Sequence, residues 1–263
     1  MVLVQTIRFL VKFINRLFYV LNLDYRIKFI LSDRKRIIIP YDMGRDFVDI
    51  FNQTKKYTMT SIERMFSLFL AIEYIVKYNI PGDIVECGVW KGGSMMLTAS
   101  ALLKKKDLER KLYLYDTYEG MSKPTSRDVR SLDNYVAKTK WLELEKSNLK
   151  WDNASLEEVK KNLYSTKYPP ENLIFAKGNV EETIPKIIPE KISILRLDTD
   201  WYESTYHELV HLFPRLVKYG ILIIDDYGYW KGSREATEKY FKERNIKIFL
   251  NRIDNTGRIA IKL

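Results

Sequence analysis

Cysteine and histidine are scarce in this chain. Its 263 residues include one cysteine, Cys87, and two histidines, His207 and His211. A single cysteine can form neither an intrachain disulfide nor a zinc site built on cysteines, which favours a reducing compartment. The histidines are four positions apart, a spacing that can bind a metal. Because the central glutamate of H-E-x-x-H is missing, packing of one helix face is the better interpretation.

Long uncharged runs are also missing, so the sequence predicts no membrane-spanning helix. Lysine and arginine outnumber the acids by 44 − 34 = +10. Such a charge suits nucleic acid or an anionic membrane surface. The basic residues are interleaved with acids, however, and no RNA-binding signature of the RRM type is present. We therefore interpret the excess as a solvated basic surface and expect no nucleic-acid partner.

The first thirty residues are predominantly apolar, with Arg8, Lys12 and Arg16 spaced so that they share one helix face. The unbroken apolar core and small-residue cleavage site of a secretory signal are absent. Two uses remain open. The helix can lie on an anionic membrane surface, or it can pack against the main domain or a second subunit. We favour packing, and so predict a cytoplasmic homo-oligomer, with peripheral membrane contact as the alternative.

The most informative stretch is Pro81 to Ser94, P-G-D-I-V-E-C-G-V-W-K-G-G-S. It predicts a buried strand, a glycine-rich turn and the start of a helix. Backbone N–H groups at such a turn face a crevice where a polar ligand can bind. The spacing E-x-G-x-x-x-G-G differs from the dinucleotide pattern G-x-G-x-x-G. An ordinary turn without a ligand is therefore an equal alternative.

Strands and helices alternate along the rest of the chain. Further strands are predicted at 111–116, 172–178, 192–198, 220–226, 246–250 and 258–263, and helices at 61–78, 155–165, 202–217 and 232–244. The last two strands flank the hairpin turn at 254–257. This order predicts an α/β fold with a mainly parallel sheet, helices on both faces and a C-terminal antiparallel hairpin. We expect residues 1–56 to form an N-terminal extension and 57–263 the main domain. The polar segment 117–154 is expected to be a lid.

Aspartates follow several of the predicted strands at their carboxyl ends, where open α/β sheets bind ligands. Asp116 ends the second strand, the position from which an acid accepts hydrogen bonds from ribose hydroxyls in nucleoside-binding α/β folds. An aspartate that caps the next turn is the alternative interpretation. Asp198, Asp200, Asp225 and Asp226 end the fourth and fifth strands. If the fourth and fifth strands are neighbours, these carboxylates lie close together and repel unless a cation lies between them, and Mg²⁺ fits such a set. No P-loop is present, which argues against phosphoryl transfer and favours group transfer to a hydroxyl.

Several runs together resemble the macrocin O-methyltransferase (TylF/MycF-like) family. They are ECGVWKGGS, LYLYDTYEGM, GNVEETIP, LRLDTDWYEST and IIDDYGYWKG, and the resemblance extends from about Tyr57 to Phe241. It implies a Rossmann-like class I methyltransferase with a seven-stranded sheet. It further implies methyl transfer from S-adenosylmethionine to a sugar hydroxyl of a glycan or glycosylated natural product, with Mg²⁺ bound. The alternatives are a non-catalytic nucleoside-binding protein and a basic membrane- or polyanion-binding protein.

The resemblance also implies roles for individual residues. The cofactor pocket would be formed by Tyr57, Thr58, Met59, Thr60, Ser61, Glu86, Gly88, Ser94, Asp116, Gly178, Asn179, Val180 and Glu181. Among these, 57–61 would fold over the amino-acid end of the cofactor and 178–181 would lie near its adenine. Asp198, Asp225 and Asp226 would hold Mg²⁺. Asp198 would also take the proton of the acceptor as general base, although Asp200 competes with it for this place.

Overall fold

The computed structural model describes residues 39–263, so the predictions made for the first thirty residues lie outside it. A compact unit runs from Met43 to Leu263. The helix Arg45–Thr54, which the sequence assigned to the N-terminal extension, belongs to this unit, because Phe47 packs on Phe66 and Phe69 of the following helix. Within the described residues, no helix is long and apolar enough to cross a membrane.

Eight helices and seven strands make up the described part of the chain. The helices are α1 (Arg45–Thr54), α2 (Ile62–Lys77), α3 (Gly93–Lys105), α4 (Ala137–Lys146), α5 (Leu156–Tyr164), α6 (Val180–Thr183), α7 (Tyr202–Leu212) and α8 (Lys231–Glu243). The strands are β1 (Asp83–Cys87), β2 (Leu112–Asp116), β3 (Leu173–Lys177), β4 (Ile192–Leu197), β5 (Leu216–Ile224), β6 (Asn251–Arg252) and β7 (Arg258–Ile261). Short 3₁₀ turns occur at Lys55–Tyr57, Pro170–Asn172 and Phe213–Arg215.

The seven strands form one sheet in the order β3-β2-β1-β4-β5-β7-β6. The strands β1 to β5 are parallel, and β7 runs antiparallel to both β5 and β6. The predicted fold class, with its C-terminal antiparallel hairpin, is therefore confirmed. The order reverses at β1 and β4, which places a crevice at their carboxyl ends.

Alternation along the strands divides the core between the two faces of the sheet. Cys87 and Leu197 face α7 and α8, where they pack in one buried cluster with Leu209 and Tyr240. The intervening residues of β1 and β4 point to the opposite face, which α2 and α3 cover. Charged side chains at these intervening positions are consequently enclosed beneath α2.

The structure differs from the sequence prediction at one helix end, one strand and one helix that was not predicted. The helix predicted for 202–217 ends at Leu212, because Pro214 cannot continue it, and β5 begins at Leu216. The strand predicted for 246–250 is wrong, since β6 comprises only Asn251–Arg252; the earlier residues pack apolar side chains on the core without a strand partner. The segment 117–154 contains α4, which the sequence did not predict.

Candidate active site

A cavity of about 400 Å³ opens at the carboxyl ends of the central parallel strands. All but one of the predicted cofactor residues line it: Tyr57, Thr58, Met59, Thr60, Glu86, Gly88, Ser94, Asp116, Gly178, Asn179, Val180 and Glu181. Asp198, Asp225 and Asp226 line the same cavity. Ser61 does not. Its side chain instead caps α2 by accepting a hydrogen bond from Arg64 N and donates one to Asp254 at 2.6 Å.

The glycine-rich turn is shaped by its contact with β4. Gly88 adopts φ +83°, and a Cβ there would overlap the backbone carbonyl of Asp198. Asp116 holds the same turn from β2, because its Oδ2 accepts hydrogen bonds from Val89 N at 2.7 Å and Trp90 N at 3.0 Å. The turn is thereby fixed against both neighbouring strands before any ligand binds.

Arg196 lies at the centre of a buried ion network beneath the acids that line the cavity. Its Nη1 donates to Glu86 Oε1 at 2.6 Å and to Asp198 Oδ2 at 2.7 Å. Its Nη2 donates to Asp225 Oδ1 at 2.5 Å and to Thr60 Oγ1 at 3.0 Å. The Arg196 side chain is only 4% exposed. One guanidinium therefore joins β1, β4 and β5 to the residues that precede α2.

Asp198, Asp225 and Asp226 each place a carboxylate oxygen within 4.8 Å of the others. Arg64 makes a further ion pair with Asp225. Asp226 is buried, its Oδ2 has no hydrogen-bond partner among the described residues, and burial raises its pKa well above the usual range. A cation at this position would satisfy the orphaned oxygen and favour the ionised form. The donor set thus fits a hard divalent ion with oxygen ligands.

Asp200 lies beside this cluster in the wall of the cavity. Its backbone has a left-handed φ of 68°, and its Oδ1 accepts a hydrogen bond from Trp230 Nε1 at 2.6 Å. Burial, followed by the charge of Asp198, raises the pKa of Asp200 to about 8. The Trp230 indole therefore fixes the orientation of the Asp200 carboxyl group, whose raised pKa favours the protonated form.

Glu86 is a buried acid in the lining of the cavity. Oε1 is bound to Arg196, whereas Oε2 is buried without a hydrogen-bond partner in the described part of the chain. Burial raises the pKa of Glu86 to about 8, against the opposing effect of the Arg196 charge. An ammonium group of a ligand would complete this site and restore the ionised carboxylate.

Two arginines of the site, Arg64 and Arg196, were not predicted from the sequence. Arg196 lies inside the apolar strand sequence I-S-I-L-R-L-D, and this position was a signal of a buried charge that needs partners. The histidine pair lies outside the site. The ring centroids of His207 and His211 are 4.3 Å apart on α7, and neither residue lines the cavity.

Comparison with known proteins identifies the family. A sequence profile of the macrocin-O-methyltransferase (TylF) family matches residues 42–260. The chain is 30% identical over 243 residues to the 8-demethyl-8-(2,3-dimethoxy-alpha-L-rhamnosyl)-tetracenomycin-C 4'-O-methyltransferase of Streptomyces olivaceus, which covers 90% of this chain and 86% of that protein. It is 31% identical over 206 residues to the mycinamicin III 3''-O-methyltransferase of Micromonospora griseorubida, with 78% of each chain covered.

Solved structures agree with this assignment. The O-methyltransferase NovP superposes with a TM-score of 0.67 at 29% identity, covering 78% of this chain and 82% of that chain. The calicheamicin methyltransferase CalS11 shares the fold, with a TM-score of 0.55 at 15% identity over 90% of this chain and 99% of that chain. This chain therefore belongs to the macrocin-O-methyltransferase (TylF) family and is an S-adenosylmethionine-dependent O-methyltransferase.

Proposed function

We propose that this enzyme methylates a sugar hydroxyl of a glycan or glycosylated natural product, with Mg²⁺ bound at the carboxylate cluster. The relatives described above act, by their names, on a rhamnosyl tetracenomycin and on a mycinamicin. The observation that carries the proposal is that one cavity holds the predicted cofactor residues and the three clustered aspartates. Donor, cation and acceptor could then meet in one place, and alignment is the main requirement of a methyl displacement.

We propose the following arrangement of S-adenosylmethionine in the cavity. Glu86 Oε2 accepts from the ammonium group, and the segment 57–61 covers the amino-acid end. Asp116 accepts from a ribose hydroxyl with the lone pair of Oδ1 that remains beside its hydrogen bond from Tyr118 N at 2.7 Å. The residues 178–181 contact the adenine. The buried, unpartnered Glu86 Oε2 supports the first of these contacts.

Asp198, Asp225 and Asp226 would hold the cation. When bound, Mg²⁺ supplies a Lewis acid that lowers the pKa of a chelated acceptor hydroxyl. The resemblance to the family assigned proton acceptance to Asp198 as well. Asp198 Oδ2, however, already accepts a hydrogen bond from the Arg196 guanidinium, so this oxygen is occupied. We therefore propose that Asp198 holds the cation and that Asp200, oriented by Trp230, takes the proton.

The segment 117–154 is proposed to form the wall and lid on the acceptor side. Met121, Ser122 and Asp152 of this segment line the cavity. Among the described residues that line the cavity, Arg64 is the one cationic side chain. The basic excess of the chain therefore does not extend into the site, and nothing in it favours a polyanion-binding function.

Calorimetry with S-adenosylmethionine, with and without Mg²⁺, tests this proposal together with the variant Asp225→Asn. Wild-type protein should bind the cofactor and, with Mg²⁺, should release S-adenosylhomocysteine when rhamnosyl glycosides are supplied. Asp225→Asn should retain cofactor binding but lose most of the turnover, since the carboxylate cluster loses a charge. Unchanged turnover in this variant would remove the metal from the proposal, and absence of cofactor binding to wild-type protein would remove the whole proposal.

A further inference from the structure

The segment 117–154 contains a buried carboxylate that the proposed chemistry does not use. Asp128 has 0% of its surface exposed. Its Oδ1 accepts a hydrogen bond from Tyr202 N at 2.8 Å, and its Oδ2 accepts from Thr125 N at 2.6 Å and from Thr125 Oγ1 at 2.9 Å. Both oxygens thus face donors, which is an arrangement that an ionised carboxylate satisfies and an amide does not.

Tyr202 is the first residue of α7, which starts directly after the loop that carries Asp198 and Asp200. The cap residue of this helix, Trp201, makes no side-chain capping bond. Asp128 therefore supplies the missing acceptor from a segment that is distant in sequence. A carboxylate at a helix N-terminus is stabilised by the helix dipole as well as by the hydrogen bond.

The same carboxylate touches α8, which begins shortly after Asp225 and Asp226. Gly232 lies in the first turn of α8, and a Cβ there would overlap Asp128 Oδ1 and would lie 3.2 Å from Tyr202 N. Glycine at this position therefore leaves the space in which the carboxylate sits. Asp128 is wedged between the starts of the two helices that follow the acid-bearing loops.

Backbone hydrogen bonds extend this contact on both sides of Asp128. Lys231 N donates to Val129 O at 2.8 Å, and Ser131 N donates to Tyr229 O at 2.8 Å. These bonds hold the backbone around Trp230, whose indole orients Asp200. The short segment 128–131 is therefore bound to the loop after β4 through Tyr202 and to the loop after β5 through residues 229–231.

We propose that Asp128 is a positioning residue that fixes the two acid-bearing loops relative to each other and to the acceptor-side wall. The inference rests on the proposed function, because the loops matter only if they bind a cation and the acceptor. Asp128 does not line the cavity that holds the predicted cofactor residues. Its effect would reach the site through the starts of α7 and α8.

The variant Asp128→Asn tests this role. The amide keeps the size of the side chain but must direct its NH₂ group at a donor, either Tyr202 N or the Thr125 pair. We expect kcat to fall about tenfold or more and the affinity for Mg²⁺ to weaken, as is usual when a partner behind a metal site is lost. Affinity for S-adenosylmethionine, whose predicted contacts lie on β1, β2 and β3, should be unchanged.

Asp133→Asn is the matched control, since Asp133 lies in the same segment, is exposed, and within residues 39–263 binds only Arg130 and the local backbone. It should match wild-type protein in kcat, in the KM for the acceptor and in Mg²⁺ affinity. Gly232→Ala should reproduce the Asp128→Asn result, because it displaces the carboxylate without removing it. Should Asp128→Asn not fold, Gly232→Ala and Thr125→Val carry the same comparison.

The inference is overturned if Asp128→Asn melts at a lower temperature but retains wild-type kcat, acceptor KM and Mg²⁺ affinity well below its melting point. That result would leave Asp128 a purely structural residue. Failure of the proposed function looks different, since wild-type protein would then not bind S-adenosylmethionine in the calorimeter or would release no S-adenosylhomocysteine. If only Mg²⁺ binding is absent and methyl transfer persists, kcat and acceptor KM of the two aspartate variants still decide whether Asp128 positions the site.

Discussion

Replacing Arg196 by methionine should destabilise the protein in a way that Mg²⁺ reverses. The Arg196 guanidinium is bound to Glu86, Asp198 and Asp225 and is itself only 4% exposed. Methionine replaces the aliphatic stem of arginine but carries no charge, so the carboxylates would face one another with Arg64 as their remaining ion-pair partner, on Asp225. Removing one partner of a buried ion pair costs about 3–5 kcal/mol.

For a domain of this size that loss corresponds to a fall in Tm of about 6–20 °C. Differential scanning calorimetry in the presence of EDTA measures it. Added Mg²⁺ should raise the Tm of Arg196→Met more than that of wild-type protein, because the cation supplies part of the missing positive charge. The difference in Tm between the two proteins should also shrink as the pH falls from about 8 to about 5, since protonation neutralises the repelling carboxylates.

Arg110→Met is the matched control at the opposite end of the strands. Arg110 pairs with Asp107 and donates to Gly82 O, away from the cavity. Its loss should cost about 1–3 kcal/mol, and Mg²⁺ should not restore it. The reasoning is refuted if Arg196→Met melts with wild-type protein, or if its loss of Tm is as insensitive to Mg²⁺ as that of the control.

Two further predictions concern the cofactor side of the cavity. Gly88→Ala should abolish cofactor binding and lower the free energy of unfolding by about 2–4 kcal/mol. The backbone at this position has a left-handed φ, which alanine rarely adopts, and the new methyl group would overlap the Asp198 carbonyl. At Gly44 a Cβ would have no heavy atom of the described residues within 4 Å, so Gly44→Ala should bind S-adenosylmethionine as wild-type protein does in the same calorimetric titration. Burial raises the pKa of Glu86 to about 8 from an ordinary value of 4.5, so the ligand-free protein should lose stability as the pH rises between these values, and Glu86→Gln should flatten that part of the profile. Cofactor binding near pH 7 should release a proton, measurable by calorimetry in buffers of different ionisation enthalpy; a release that persists in Glu86→Gln would assign the proton to another group.

The strand, turn and helix around the glycine-rich stretch could be predicted because their signals are local. An apolar run feeding three glycines and a helix-forming sequence limits what the backbone can do, whatever the rest of the chain contains. The aspartates at the strand ends were predictable for a related reason. Parallel strands joined by helices bring their carboxyl ends to one edge, so Asp116, Asp198 and Asp225 had to approach one another.

Boundaries were predicted less well where packing competes with local preference. Ile246 and Leu250 lie in a run of alternately half-buried and exposed residues, as in a strand, but no backbone in the described part of the chain pairs with them, so the ladder starts only at Asn251. The helix Ala137–Lys146 was hidden because it buries one residue, Ala137, and so lacks an apolar stripe.

The sequence alone determined the fold class, the glycine-rich turn and the set of acids at the strand ends, since each follows from periodicity and residue type. Only the tertiary structure decided how those acids are balanced. Strand order places Glu86 opposite Arg196 in register and brings Asp225 to the same guanidinium. It also seats Asp128 between two helix starts that are distant in sequence. Such charges depend on contacts between distant residues, and a buried charge is stable only where those contacts satisfy it.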